Sequence, residues 1–186
     1  MITVSEAIVR MIHESHGSQY DINHFLKVWA YARNIGQQEG LDTRTQQTLE
    51  FAAIVHDIAC PMLHEKIGSA PGNLQQQYGE PMARNFYEGS GLDQKMVDRI
   101  CYLVGHHHTF TGVSGQDYQI LLEADFLTNA GESEQYLREA PQFRKNVFKT
   151  KTGRELLDSI YGTVGHGDGS DVTPDPENDA DHKRRS

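Results

Sequence analysis

The sequence predicts an all-α fold, a compact helical bundle built as one domain over residues 1–164. Three observations predict it. Apolar residues recur at i, i+3 or i+4, and i+7 in segment after segment. No strand-period alternation lasts more than a few residues, and no internal repeat is present. Asp, Thr, Gly and Pro fall where helices of that spacing would start and stop. With 186 residues, the chain is one domain in length and long enough to bury a core.

Each element follows from its own pattern. Val4, Ile8, Met11 and Ile12 form the stripe of a first helix, which breaks at Gly17-Ser18. Asp21 is the expected cap of a second. On it His24, Val28, Tyr31, Ala32 and Ile35 share one face, and Gly40 ends the run. A third helix starts near Asp42 or Thr43 and carries Leu49, Ala52, Ala53 and His56 inward. Pro61 disfavours helical geometry at Cys60, so the third helix is expected to stop just after His56-Asp57. The stretch from Pro61 to Pro71 reads as loop. Helices are expected over about Leu74 to Tyr87, Asp93 to Gly105, and the segment DYQILLEADFLTNA from Asp117, with one or two more between Arg138 and Val164. From Gly165 to Ser186 the chain is rich in Gly, Pro and acids without apolar period, and reads as a flexible tail.

Composition narrows the function. Seventeen Lys+Arg against 26 Asp+Glu give a net charge of −9, which argues against binding a nucleic-acid polymer. No apolar run is long enough to cross a membrane, and the N-terminus does not read as a signal peptide. Two cysteines, Cys60 and Cys101, suit a reducing compartment, so a cytoplasmic location is expected. Ten histidines are the unusual count.

Four polar residues occupy positions that the helical pattern assigns to the core. His24 opens the inward stripe of the second helix, and His56 closes that of the third with Asp57 directly after it. Asp125 lies three and four residues beyond Leu122 and Leu121. One inward histidine is usually a core side chain bonded to a carbonyl. A buried carboxylate, by contrast, is costly unless paired or bound to a metal. Two imidazoles and two carboxylates converging from three helices would make a mixed N/O site for a divalent transition ion, and two Asp charges would balance it.

The stretches YDINHFLKVWAYARNIGQQEGLD, LEFAAIVHDIA and LLEADFLTN together resemble the HD superfamily of metal-dependent phosphohydrolases. That superfamily is marked by a spaced His, an adjacent His-Asp and a distant Asp, which fall here on His24, His56-Asp57 and Asp125. The resemblance spans about residues 20–130. It implies a bundle with a central metal, a small phosphate ester as substrate (a nucleotide or related metabolite), and Mn, Fe, Ni, Co or Zn as the ion. Some members hold a second ion with additional histidines. His107, turned inward at i+7 from Ile100, and then His106 are the candidates here. Where such members carry another His after His-Asp, this chain has Gln75, Gln76 and Glu80.

Asp57 is the expected ligand, bridging if two ions are present. For His107, positioning substrate or donating a proton to the leaving group is the alternative to ligation. Lys66, Arg84 and Lys27 are the cations expected to meet the phosphate. Two other functions fit the same resemblance: a di-iron oxygenase, and a sensor that binds a nucleotide and keeps the metal without cleaving. Other motifs fail: His13 and His16 lack the i, i+4 spacing of zinc-protease helices, and no P-loop is present.

Overall fold

A computed structural model describes residues 1–162, and among them lie nine α-helices and no strand. They are α1 Val4–Glu14, α2 Gln19–Gln38, α3 Thr43–Val55, α4 Cys60–Ile67, α5 Gly72–Phe86, α6 Gln94–Val104, α7 Gln116–Glu132, α8 Glu134–Asn146 and α9 Lys151–Tyr161. The expected tail from Gly165, and the last two residues of the 1–164 unit, lie outside the described residues.

Side-chain caps set the starts of α1, α2, α3, α6 and α9. Thr3 and Glu6 bond reciprocally at the head of α1, and Asp42, Asp93 and Thr150 cap α3, α6 and α9. At α2 the cap is Ser18, whose hydroxyl accepts from the Asp21 backbone N–H, so the cap lies three residues before the expected Asp21. Asp21 then lies in the first turn, where a carboxylate suits the positive end of the helix. The larger difference is α4, which occupies ground expected to be loop. Pro61 sits in its first turn, where the missing N–H has no intrahelical partner to lose and the fixed φ already matches the helix. Gly68 closes α4 in the left-handed conformation, φ 74°, and its N–H returns to the His64 carbonyl.

The core sits around α7. Its residues from Tyr118 to Thr128 are buried on nearly every face, apart from Gln119, which is half-buried. A helix apolar all round belongs at the centre. It packs against α2, α3, α8 and α9, while α2 also packs on α3 and α6 packs on α3 and α5. Ile35, Leu49, Ile54, Ile100, Leu103, Leu121 and Leu122 fill the space between. Cys60 and Cys101 are free and buried. No helix among the described residues is long and apolar enough to cross a membrane. The arrangement brings the second turn of α2, the end of α3, the segment after α6 and the middle of α7 to one place.

Candidate metal centre

Four side chains meet there with unused lone pairs. His24 Nε2 lies 3.2 Å from His56 Nε2, 3.4 Å from Asp125 Oδ1 and 3.5 Å from Asp57 Oδ2. His56 Nε2 lies 3.5 Å from Asp125 Oδ1 and 3.6 Å from Asp57 Oδ2. His24 is 4% exposed and His56 fully buried. The tautomers follow from the opposite ring nitrogens. His56 Nδ1–H donates to the Ala53 carbonyl at 2.9 Å, and His24 Nδ1–H to Glu132 Oε2 at 2.8 Å. Neutral rings so anchored aim two Nε2 lone pairs at each other and at two carboxylate oxygens. That arrangement is repulsive unless a cation stands among them.

The separations fit an ion. Ligand atoms ~2.0–2.2 Å from a divalent metal lie about 3 to 3.5 Å from one another at ordinary coordination angles. The four sequence-predicted residues His24, His56, Asp57 and Asp125 are therefore brought together by a donor set of N/O type that suits Mn, Fe, Co, Ni or Zn. Without an ion, protons take its part. Burial works against charge on His24, but hydrogen bonds to Asp125 and Glu132 outweigh it and push its pKa up to about 10. Asp125 and Asp57 are held well below the usual carboxylate range, against the burial that opposes their charge, by the imidazoles beside them.

The sign of this linkage makes a prediction. Protonation of His24 stabilises the metal-free fold fully below pH 6.5, and that contribution is lost as pH rises toward 10. The Tm of metal-free protein should fall between pH 7 and 10, whereas metal binding, which displaces those protons, should tighten over the same range. A metal-free Tm that rises across this window would refute the protonated cluster.

Beside this group lies a second one. Asp57 turns its other oxygen, Oδ1, to His107 Nε2 at 2.9 Å, while His107 Nδ1–H donates to the Val104 carbonyl at 2.7 Å. Burial opposes charge on His107, but its contact with Asp57 raises the pKa nonetheless. Asp57, His107 and His108 each offer a ligand atom within 4.8 Å of the others, as do His24, His56 and Asp57. Asp57 belongs to both groups.

The second group corrects the sequence reading at two places. His106 is not part of it: its Nδ1–H donates to the Tyr102 carbonyl at 2.7 Å and its ring stacks on Tyr102 at 4.1 Å. His108 occupies the expected place, bonded through Nε2 to Gln75 Oε1, with burial lowering its pKa to about 4. The reason is backbone geometry. Gly105 caps α6, so residues 106–108 no longer follow a helical wheel. Gln75, Gln76 and Tyr118 hold that segment instead; Gln76 Oε1 accepts from the His108 N–H, and the Tyr118 hydroxyl donates to the carbonyls of His106 and Thr109.

The expected cations are not gathered at the centre. Lys66 is exposed in the last turn of α4, and no polar contact among the described residues joins it to the cluster. Arg84 pairs with Asp98 on the outside of α5 and α6. Lys27 alone is connected, through Glu132 at 2.8 Å. The sequence reading missed Asn129, whose side-chain N–H donates to Asp125 Oδ1 at 2.8 Å, as well as Glu132; Gln75 it had placed where relatives carry another His. Asn129 and Glu132 follow Asp125 at i+4 and i+7, a spacing that could have disclosed them.

Comparison with known proteins gives the family and the fold. The family model described as HD domain matches residues 21–143. The chain is also similar to the crystal structure of a predicted HD superfamily hydrolase from an uncultured Thermotogales bacterium. The TM-score is 0.64 at 23% identity, over 86% of each chain, a likeness of fold. No curated protein matches.

Proposed function

The chain belongs to the HD-domain family, and from that premise we propose that it is a metal-dependent phosphohydrolase acting on a small phosphate ester, a nucleotide or related metabolite. The observation that carries the reading is the convergence of His24, His56, Asp57 and Asp125 with anchored tautomers and mutual separations of 3.2–3.6 Å. These four residues would hold the first ion. A bound divalent ion polarises a phosphoryl oxygen and brings its water toward neutral pKa, which supplies a nucleophile at ordinary pH.

The chain's own residues do the rest. Asp57 divides its oxygens between the two groups, so it fixes the first site relative to His107. His107, anchored at Nδ1, presents Nε2 to Asp57 Oδ1 and can hold a proton there for the leaving-group oxygen. Gln75, fixed by donating to the Ala70 carbonyl, orients both His107 and His108. Lys66, exposed and apart, is not given a catalytic part in this geometry. We take residues 1–164 as the folded unit that carries the activity.

A second reading rests on the Asp57–His107–His108 group, which supports room for a second ion and so keeps a di-iron oxygenase in view. One experiment separates the readings. Protein purified without chelator or added metal is analysed for transition metals per chain, then assayed for phosphate release from nucleotides and simple phosphate esters. Metal-dependent release that chelator removes and added ion restores is expected. Two irons per chain with oxygen consumption and no phosphate release would replace this function by oxygenation. Nucleotide-induced stabilisation without turnover would make the protein a sensor.

A further inference from the structure

The inward imidazoles meet one local requirement in two ways. A ring that presents Nε2 to the centre must place its Nδ1–H on an acceptor. His56 directly follows α3 and His107 lies just beyond α6, so each bonds a carbonyl from the end of its own helix, Ala53 or Val104. Those carbonyls belong to the last turn, where the helix offers no N–H of its own. His24 stands in the interior of α2, whose carbonyls are engaged in the helical ladder. It has no local acceptor.

Glu132, from the last turn of α7, supplies one. Its Oε2 accepts from His24 Nδ1–H at 2.8 Å, and its Oε1 accepts from Lys27 Nζ at 2.8 Å, three residues beyond His24 on α2. The Glu132 side chain is only 10% exposed, against 53% for Lys27, so the carboxylate is sheltered while its counter-charge reaches water. Glu132 also lies seven residues beyond Asp125, two turns along the same face of α7. One helix thus carries a ligand and the support of a second ligand from another helix.

We propose that Glu132 is a positioning residue of the metal centre, which fixes the orientation and tautomer of His24 and lends its charge to the ligand ring. The inference rests on reading the cluster as a metal centre. It implies that metal affinity depends on a carboxylate that never touches the ion, held in turn by Lys27.

The test is calorimetric titration of the full-length, metal-free protein with Mn²⁺, together with the metal-free Tm, for wild type, Glu132→Gln and Glu132→Ala. Loss of such an outer partner weakens metal binding about 10–100-fold. Glu132→Ala is expected near the upper end of that range. Glu132→Gln is expected to lose about tenfold, since its amide oxygen still accepts from Nδ1–H but carries no charge. Glu50→Gln is the control: Glu50 is a more deeply buried carboxylate that accepts from Trp29, Arg33 and Gln46, but touches no ligand. It should lower the Tm and leave the Kd within about threefold of wild type. An unchanged Kd in Glu132→Ala would overturn the inference, as would losses in both Glu132 variants no greater than that of Glu50→Gln. Should Glu132→Ala not fold, Glu132→Gln decides alone. A wild type that binds none of Mn²⁺, Fe²⁺, Co²⁺, Ni²⁺ and Zn²⁺ would instead remove the metal-centre reading itself.

Discussion

Replacing Asp57 by alanine is expected to abolish both metal retention and phosphate release while leaving the helical fold intact. Two arguments set the size of the effect. Asp57 contributes Oδ2 to the group with His24 and His56 and Oδ1 to the contact with His107, so one truncation removes a donor from each side. Losing a partner that merely supports a ligand costs ~10–100-fold, and removing a ligand shared by both groups should exceed that, leaving less than about one hundredth of wild-type turnover. The fold should persist because Asp57 follows α3 and anchors no helix start. Elemental analysis, phosphate release and circular dichroism check the three parts. Turnover by Asp57→Ala at the wild-type rate would rule out the hydrolase assignment.

The second large effect concerns stability. Glu123 is fully buried on α7, yet it faces away from the metal ligands toward the start of α9. Its Oε1 accepts from the backbone N–H groups of Lys149 and Thr150, at 2.6 and 3.0 Å, and from the Gln119 side chain at 2.8 Å. Its Oε2 accepts from the Thr150 hydroxyl, which in turn caps α9. Gly153 passes so close that any Cβ there would collide with this carboxylate. Glu123→Ala leaves two backbone donors and a hydroxyl unpaired where water has little access. The expected cost is about 3 kcal/mol, at the upper end for stranded buried groups. In a chain of this size that lowers the Tm by roughly 10 °C. Thermal denaturation at neutral pH checks it, and a shift below about 2 °C would mean that water replaces the carboxylate. Metal content should stay at the wild-type level.

These two sites also mark what could be read beforehand. His24, His56 and Asp125 were legible because each interrupts an apolar stripe while the chain is still helical, so spacing alone turns them inward. His107 was legible for the same reason, although it lies just past the helix. His106 and His108 were not: beyond Gly105 the backbone leaves the helix, and 100° per residue no longer says where a side chain points. α4 was hidden because Pro61 was weighed as a helix breaker for the residue before it and not as a first-turn residue of a new helix. Glu123 and Glu132 were hidden for another reason. Glu123 is an acid in a helix already assigned to the core, and Glu132 lies two residues past the expected end of that helix at Ala130. Spacing from Asp125 turns Glu132 to the right face, but the partner brought in from α9 or α2 is what distinguishes a buried carboxylate from a solvated one. Local pattern thus discloses inward polar side chains, and tertiary packing discloses what holds them.

The central position of α7 has a kinetic corollary. The donors of the first group range from residue 24 to residue 125, so no short fragment of the chain contains the site. An ion can bind at full strength only after α2, α3 and α7 have docked, since the four donors come together only then. Amide hydrogen exchange should report this directly: the inner amides of α2 and α7 would exchange through whole-molecule opening, and bound ion would slow them all by one common factor, as mass action on the native state requires. Metal occupancy would then be legible, residue by residue, as the lifetime of the bundle itself.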